Sequence, residues 1–279
     1  MDFVREGLPP GRNRRSDRRL HPYGIAVAVA LLFALQLNAA EVGGATPATP
    51  KERLKEVVSD AKDIFPAPVK RWRGHEWIRF GEGLALVAAM YPLDQSIVNA
   101  FQRNHGQVTT RYFHAVTHLG GGYGQDLVLL TIAGGYFGHD QRLLDTGFDA
   151  LESSVFAAGI VTPAIKTTVG RARPIADLGR HSVHPFDKDL YQSFPSGHAT
   201  SAFAIATAIA NRYDDHPSVP AIAYTLATTI AFARVYDRAH FPSDVVAGAL
   251  IGHAVAKSIV HNHVTVVPEH RALLVDVKF

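Results

Sequence analysis

Seven apolar stretches, roughly 81–91, 95–118, 126–138, 145–168, 199–213, 219–236 and 244–260, dictate what this chain can become. Most run 12–20 residues, are rich in alanine and lack the every-second-residue alternation of a half-buried strand. Alanine is the best helix former, and polar loops separate the runs, so helices packed on one another are the natural product. The expectation is an all-α fold, a bundle of about six core helices. Ahead of it, Lys51–Ile64 places Leu54, Val57, Val58, Ala61 and Ile64 on one helical stripe. Behind it, Val264–Val267 and Leu273–Val277 flank Pro-Glu-His-Arg, a pattern that can form a short C-terminal β-hairpin.

Charge and hydropathy set the context. Six arginines stand against three acids in residues 1–23, and this local excess accounts for the whole net charge of +3. The remainder is neutral, so nothing points to nucleic acid. The arginine-rich leader runs into the apolar segment Ile25–Leu35 and the small residues Ala39 and Ala40, as in an export signal. An uncleaved anchor over 25–40 is the alternative. Either way the basic flank stays cytoplasmic and the rest is exported to the periplasm or cell envelope. The expected division is 1–40 signal or anchor, 41–79 linker and amphipathic helix, 80–262 helical domain and 263–279 tail. A mean hydropathy of +0.03 argues against most of the chain lying in lipid. Glu82, Asp149, Glu152, His253 and Lys257, set among apolar residues, suit buried helices with a wet edge. With no cysteine, disulfides, thiolate metal sites and cysteine nucleophiles are excluded.

Three stretches carry chemistry: Lys166 to Arg173-Pro174; Phe194-Pro195-Ser196-Gly197-His198; and Arg234 to His240 and Asp244. Each falls where a helix meets a loop, so a bundle can bring all three to one end. Lys166, Arg173 and Arg234 supply fixed positive charge, and the arginine fork matches phosphate oxygens. The helix opening at Ser196 adds an N-cap hydroxyl, backbone N–H groups, with Gly197 among them, and a favourable dipole. Such a pocket suits a tetrahedral oxyanion. Asp244, four residues after His240, can accept its Nδ1–H, fix the tautomer and leave Nε2 free to attack. His198 can protonate a leaving oxygen. Ser243 is the expected cap of the last helix.

These motifs resemble the type 2 phosphatidic acid phosphatase superfamily, which also holds bacterial non-specific acid phosphatases and vanadium haloperoxidases. The family pattern is Lys, six residues, Arg-Pro; then Pro-Ser-Gly-His; then Ser-Arg, five residues, His, three residues, Asp. All of it is kept here except the serine, which is Ala233. The resemblance implies a helical domain over roughly 80–262, with His240 as nucleophile, Asp244 orienting it and His198 as acid. It implies phosphate binding by Lys166, Arg173, Ser196, Gly197 and Arg234. It implies no metal and no cofactor, with vanadate able to occupy the pocket as a phosphate mimic.

The expected activity is therefore metal-independent hydrolysis of phosphomonoesters or diphosphates through a phosphohistidine, with lipid phosphates or isoprenyl diphosphates favoured and a membrane surface as the workplace. The alternatives are a non-specific acid phosphatase on soluble monoesters, a vanadate-dependent haloperoxidase and a non-catalytic anion-binding envelope protein. Other residues invite blander readings. Arg171 and Arg238 read as rim charges, and His181 and His184 as loop residues. Gly120–Gly124 reads as an inter-helix turn rather than a phosphate loop. His261 and His263 read as a solvated tail, since no third metal ligand is evident nearby.

Overall fold

The computed structural model describes residues 50–66, 72–187 and 189–266. The helices among them are α1 Pro50–Ile64, α2 Gly74–Met90, α3 Asp94–Arg103, α4 Gln107–Thr117, α5 Gly122–Phe137, α6 Gln141–Ser154, α7 Thr162–Val169, α8 Gly197–Arg212, α9 Ser218–Tyr236 and α10 Pro242–Val266. A single 3-10 turn, Tyr91–Leu93, separates α2 from α3, and a wide helical turn over Val155–Val161 carries α6 into α7. No strand occurs among the described residues, so the fold is the all-α bundle that the apolar runs dictate.

Helix α8 is the axis. It packs on α10, α9 and α6. Its alanines 199, 202, 204, 206, 208 and 210 are all buried, as expected of a helix that is apolar all round. Small residues let α8 and α10 touch backbone to backbone. A Cβ added at Gly252 would stand 2.2 Å from the Thr200 carbonyl oxygen and 2.9 Å from the Ala204 nitrogen. The same seam at Gly248 approaches the Ser196 carbonyl, and the Ser196 N–H donates to the Asp244 carbonyl oxygen at 2.9 Å. This contact fixes the start of α8 against the start of α10. Val98, Ala199, Ala231, Val235, Phe241 and Val245 form the apolar floor beneath that end. At the far end, Val57, Ala61 and Ile64 of α1 pack on the cluster containing Phe156 and Ile259.

The outer helices tell a different story. No residue of α2 is buried, and Trp77, Ile78, Phe80, Leu84 and Leu86 point outward. Leu130 and Phe137 on α5, and Ile222 and Phe232 on α9, do the same. Four segments, Gly74–Arg103, Gln141–Val169, Ser218–Tyr236 and Pro242–His263, are long and apolar enough to cross a membrane. Mean hydropathy averages these segments with polar loops and a charged leader. The apolar side chains exposed on these helices mark a membrane-associated protein.

Two further expectations change. Helix α10 runs through Val266, so most of the first arm proposed for a C-terminal hairpin is helical, and Leu273–Val277 lies outside the described residues. Asp149 and Glu152 do not sit at a wet edge; both are buried, Asp149 completely. The export signal or anchor over 1–40 also lies outside the described residues.

Candidate active site

The three motifs meet at one end of the bundle. Lys166 lies in the last turn of α7, and its Nζ donates to the Gln192 carbonyl at 2.6 Å. Gly170 then ends α7 in the left-handed region (φ +57°), where only glycine is comfortable. A Cβ there would also strike the His184 carbonyl at 1.9 Å. This turn swings the chain so that Arg173 returns to the same pocket. The buried Nε of Arg173 has no protein partner, which leaves its fork oriented for an incoming anion. Arg234, in the last turn of α9, donates to Thr117 Oγ1 at 2.7 Å. Ser196 caps α8 as expected, its Oγ accepting from the Ala199 N–H at 3.5 Å. Gly197 begins the helix next to Lys166: a Cβ placed on it would lie 4.0 Å from Lys166 Cε.

The histidines sit against this cationic wall. His240 is 2% exposed, and its Nδ1–H donates to the Ser193 carbonyl at 2.6 Å. That differs from the expected bond to Asp244. Both Asp244 oxygens are already engaged: Oδ1 accepts from Arg171 at 2.5 Å, while Oδ2 accepts from Ser193 Oγ at 2.5 Å and from the Phe241 N–H at 2.8 Å. Asp244 therefore acts on His240 at one remove, holding the residue whose carbonyl fixes the ring. The result for the imidazole is the same: the proton is held on Nδ1 and the lone pair is left on Nε2.

Burial holds His240 well below the usual histidine range, and Lys166, Arg234, Arg173 and His198 push it the same way. Burial also lowers His198 to about 3, aided by Arg234, Arg173, Lys166 and His118. Both rings are thus neutral in the anion-free site.

Residues 150–267 match the family model described as the PAP2 superfamily. The match takes in all three motifs, from Lys166 to Asp244. Similarity to curated proteins agrees. The chain is 35% identical over 105 residues to the lipid A 1-phosphatase of Rhizobium etli, covering 37% of this chain and 44% of that protein. It is 32% identical over 143 residues to the probable lipid phosphate phosphatase 4 of Arabidopsis thaliana, covering 41% of this chain and 45% of that one. The matches thus span less than half the length of these relatives. A solved transmembrane PAP2-type phosphatidylglycerolphosphate phosphatase from Bacillus subtilis shares the fold, with a TM-score of 0.54 and 23% identity over 67% of this chain and 94% of that one.

Within the PAP2 segment, Arg171 departs most from its sequence reading. It is no rim charge but 3% exposed, bridging Asp244 Oδ1 and Asp94 Oδ2 (2.5 and 2.7 Å) and sandwiched against Phe241 and Tyr91. Arg238 is the half-exposed residue of the two, paired with Asp177. Outside the PAP2 segment the sequence reading missed Asp94, Thr117 and His118. Asp94 is fully buried and takes both the backbone N–H and the hydroxyl of Ser243, at 2.8 and 2.6 Å. Ser243 is thus not the cap of α10; the helix opens with Pro242, and Asp244 reaches back to the Phe241 N–H. The only signal for Asp94 was a lone acid directly after Pro92-Leu93 in an apolar run. Ala233 is fully buried, so the missing serine hydroxyl is replaced by packing.

Proposed function

We propose that this protein is a membrane-associated, metal-independent phosphatase acting on a lipid phosphate or isoprenyl diphosphate through a phosphohistidine. The observation that carries the reading is the convergence of Lys166, Arg173 and Arg234 on the buried His240 and the partly buried His198, both neutral, at the opening of α8. Lys166, the two arginines and the backbone at Ser196 and Gly197 hold the phosphoryl oxygens. His240 Nε2 attacks phosphorus as the ester P–O bond breaks, and His198 gives its proton to the departing oxygen. Water then attacks the phosphohistidine, His198 takes the water proton, and inorganic phosphate leaves with His240 restored.

His198 takes the proton it needs from solvent as the substrate binds. A phosphate dianion cancels the repulsion of three nearby cations, each worth about 4 kcal/mol at contact distance for an effective dielectric of 20. That raises His198 towards its ordinary range only when there is something to protonate. The lipid preference rests on the apolar exterior of α2, α5 and α9, and accords with the names of the relatives.

The test is phosphate release by the full chain in detergent micelles with EDTA present, using a micellar lipid phosphate and a short soluble monoester side by side. His240→Ala serves as the blank. Turnover favouring the lipid and abolished in His240→Ala is expected. Equal or better use of the soluble ester refutes the lipid reading, and full activity in His240→Ala refutes the mechanism.

A further inference from the structure

The far end of the bundle holds a second constellation that the phosphatase reading does not use. Asp60 of α1, Glu152 of α6 and His263 of α10 each present a ligand atom within 4.8 Å of the others. The third ligand that the sequence could not supply to His263 thus comes from two distant helices, and His261 takes no part.

Three features distinguish this cluster from an ordinary ion-pair network. First, Glu152 is 9% exposed, yet its Oε1 has no hydrogen-bond partner, and its Oε2 lies 3.8 Å from His263 Nε2, beyond hydrogen-bond range. A buried carboxylate oxygen without a partner, on a side chain whose other oxygen faces a histidine, is costly unless something else binds there. Second, the outer groups already have the arrangement a metal site needs. His263 Nδ1–H donates to Asp149 Oδ1 at 2.6 Å, and Asp149 is held by Arg212 Nε at 2.6 Å. Asn262 Nδ2 donates to Asp60 Oδ1 at 2.7 Å, which leaves Oδ2 facing inward. A carboxylate on the far nitrogen is how metal-bound histidines are oriented. Third, the charges do not balance. Asp60, Asp145, Asp149 and Glu152 face Arg53, Arg212 and His263, with Glu56 at the solvent edge. Even with His263 protonated the shortfall is one positive charge.

We propose that Asp60, Glu152 and His263 bind one divalent first-row cation, such as Zn²⁺ or Mn²⁺, as a structural clasp between α1 and the bundle. One imidazole and two carboxylates are the donor set such ions accept. His263 Nε2 and Asp60 Oδ2, now 2.7 Å apart, need to separate to about 3.3 Å to sit on a tetrahedron of metal–ligand bonds near 2.0 Å. The ion stands in for two protons that otherwise neutralise the cluster. It lies about 30 Å along α10 from His240, so it has no part in the hydrolytic chemistry.

The experiment uses the full chain in detergent, stripped with EDTA and exchanged into metal-free buffer, then titrated with ZnCl₂ and separately with MnCl₂ by calorimetry. Bound metal is counted by elemental analysis. About one equivalent per chain is expected, with affinity lowered at least tenfold in Glu152→Gln and His263→Gln. Asp149→Asn should lower it by about 10–100-fold. His261→Gln and His240→Ala should bind as the unaltered protein does, which separates this site from surface histidines and from the active site. Glu152→Gln keeps the side-chain shape, so it decides the matter if His263→Gln fails to fold by circular dichroism. No uptake of either ion, or uptake unaltered in Glu152→Gln, overturns the proposal and leaves a proton-neutralised polar cluster.

Discussion

Replacing Arg171 by methionine separates its structural role from a phosphate-binding one. Arg171 is the shared counter-ion of two carboxylates that are each fully buried, Asp94 and Asp244. Methionine retains most of the stem that packs on Phe241 and Tyr91 but leaves both acids without their cation. Breaking a buried pair from one side costs about 3–5 kcal/mol. For a domain of roughly this size each kcal/mol moves Tm by about 2–4 °C, so the expected drop is about 6–20 °C. Thermal unfolding in detergent measures it. The cost should shrink in the Arg171→Met/Asp94→Asn double variant, because one of the stranded charges is gone, giving a non-additive cycle. Activity should fall through kcat, since Asp244 no longer anchors Ser193 and the ring of His240 loses its fixed acceptor. An unchanged Tm combined with a raised KM refutes the reasoning, because that is the signature of a residue touching substrate at the rim.

Loss of the His198 acid in His198→Ala should lower kcat by about 10²–10⁴-fold on a substrate with a poor leaving group, and much less on an activated aryl ester that needs no proton. Gly252→Ala should destabilise the protein by about 1–3 kcal/mol or more, read as a lowered Tm, because its Cβ would stand 2.2 Å from the Thr200 carbonyl oxygen. Sulfate remains a dianion across neutral pH, so calorimetry in buffers of different ionisation enthalpy reports protein protons alone. His198 begins near 3 and rises on binding, so sulfate binding should take up a proton and weaken as pH climbs through neutrality; binding without proton uptake contradicts this.

The helical runs were legible because alanine-rich periodicity is a local property, as were the caps at Ser196 and the amphipathic stripe of α1. What escaped depends on partners far away along the chain. Nothing around Arg171 announces Asp94, 77 residues upstream, so its exposed-looking charge was misread. The acceptor of His240 Nδ1 is a main-chain carbonyl, a group every residue owns and no motif can display. The valines at 264–266 favour strands when taken alone. They continue α10 here, where the preceding turn is tied by His263 to Asp60 and Asp149. Whole-chain hydropathy has a related limit: it cannot tell a face that meets neighbouring helices from one that points outward, as on α2.

The motif spacings themselves follow from how the helices end. Six residues separate Lys166 from Arg173 because the chain must finish α7, reverse through Gly170 and extend past Arg171 before a second cation can re-enter the pocket. Arg171, in the middle of that passage, turns the other way and fastens the loop to α3 and α10 at once. Five residues separate Arg234 from His240 because the last turn of α9 must be closed first: the N–H groups of Ala239 and His240 both return to the Arg234 carbonyl. The start of α10 is in turn bound to the start of α8 through Ser196 and Asp244. Lys166 and Arg234 are therefore held by helix ends and Arg173 by a passage whose backbone is tied to Leu190, so the anion pocket is rigid before anything binds. A rigid arrangement of like charges is unfavourable by itself, so its stability must come from elsewhere. The backbone contact along Gly248 and Gly252 and the buried Asp94–Arg171–Asp244 chain supply it from outside the pocket. Strain built into the cationic wall is then relieved by the phosphoryl group, which is the condition for electrostatic catalysis that a floppy cluster of the same residues could not meet.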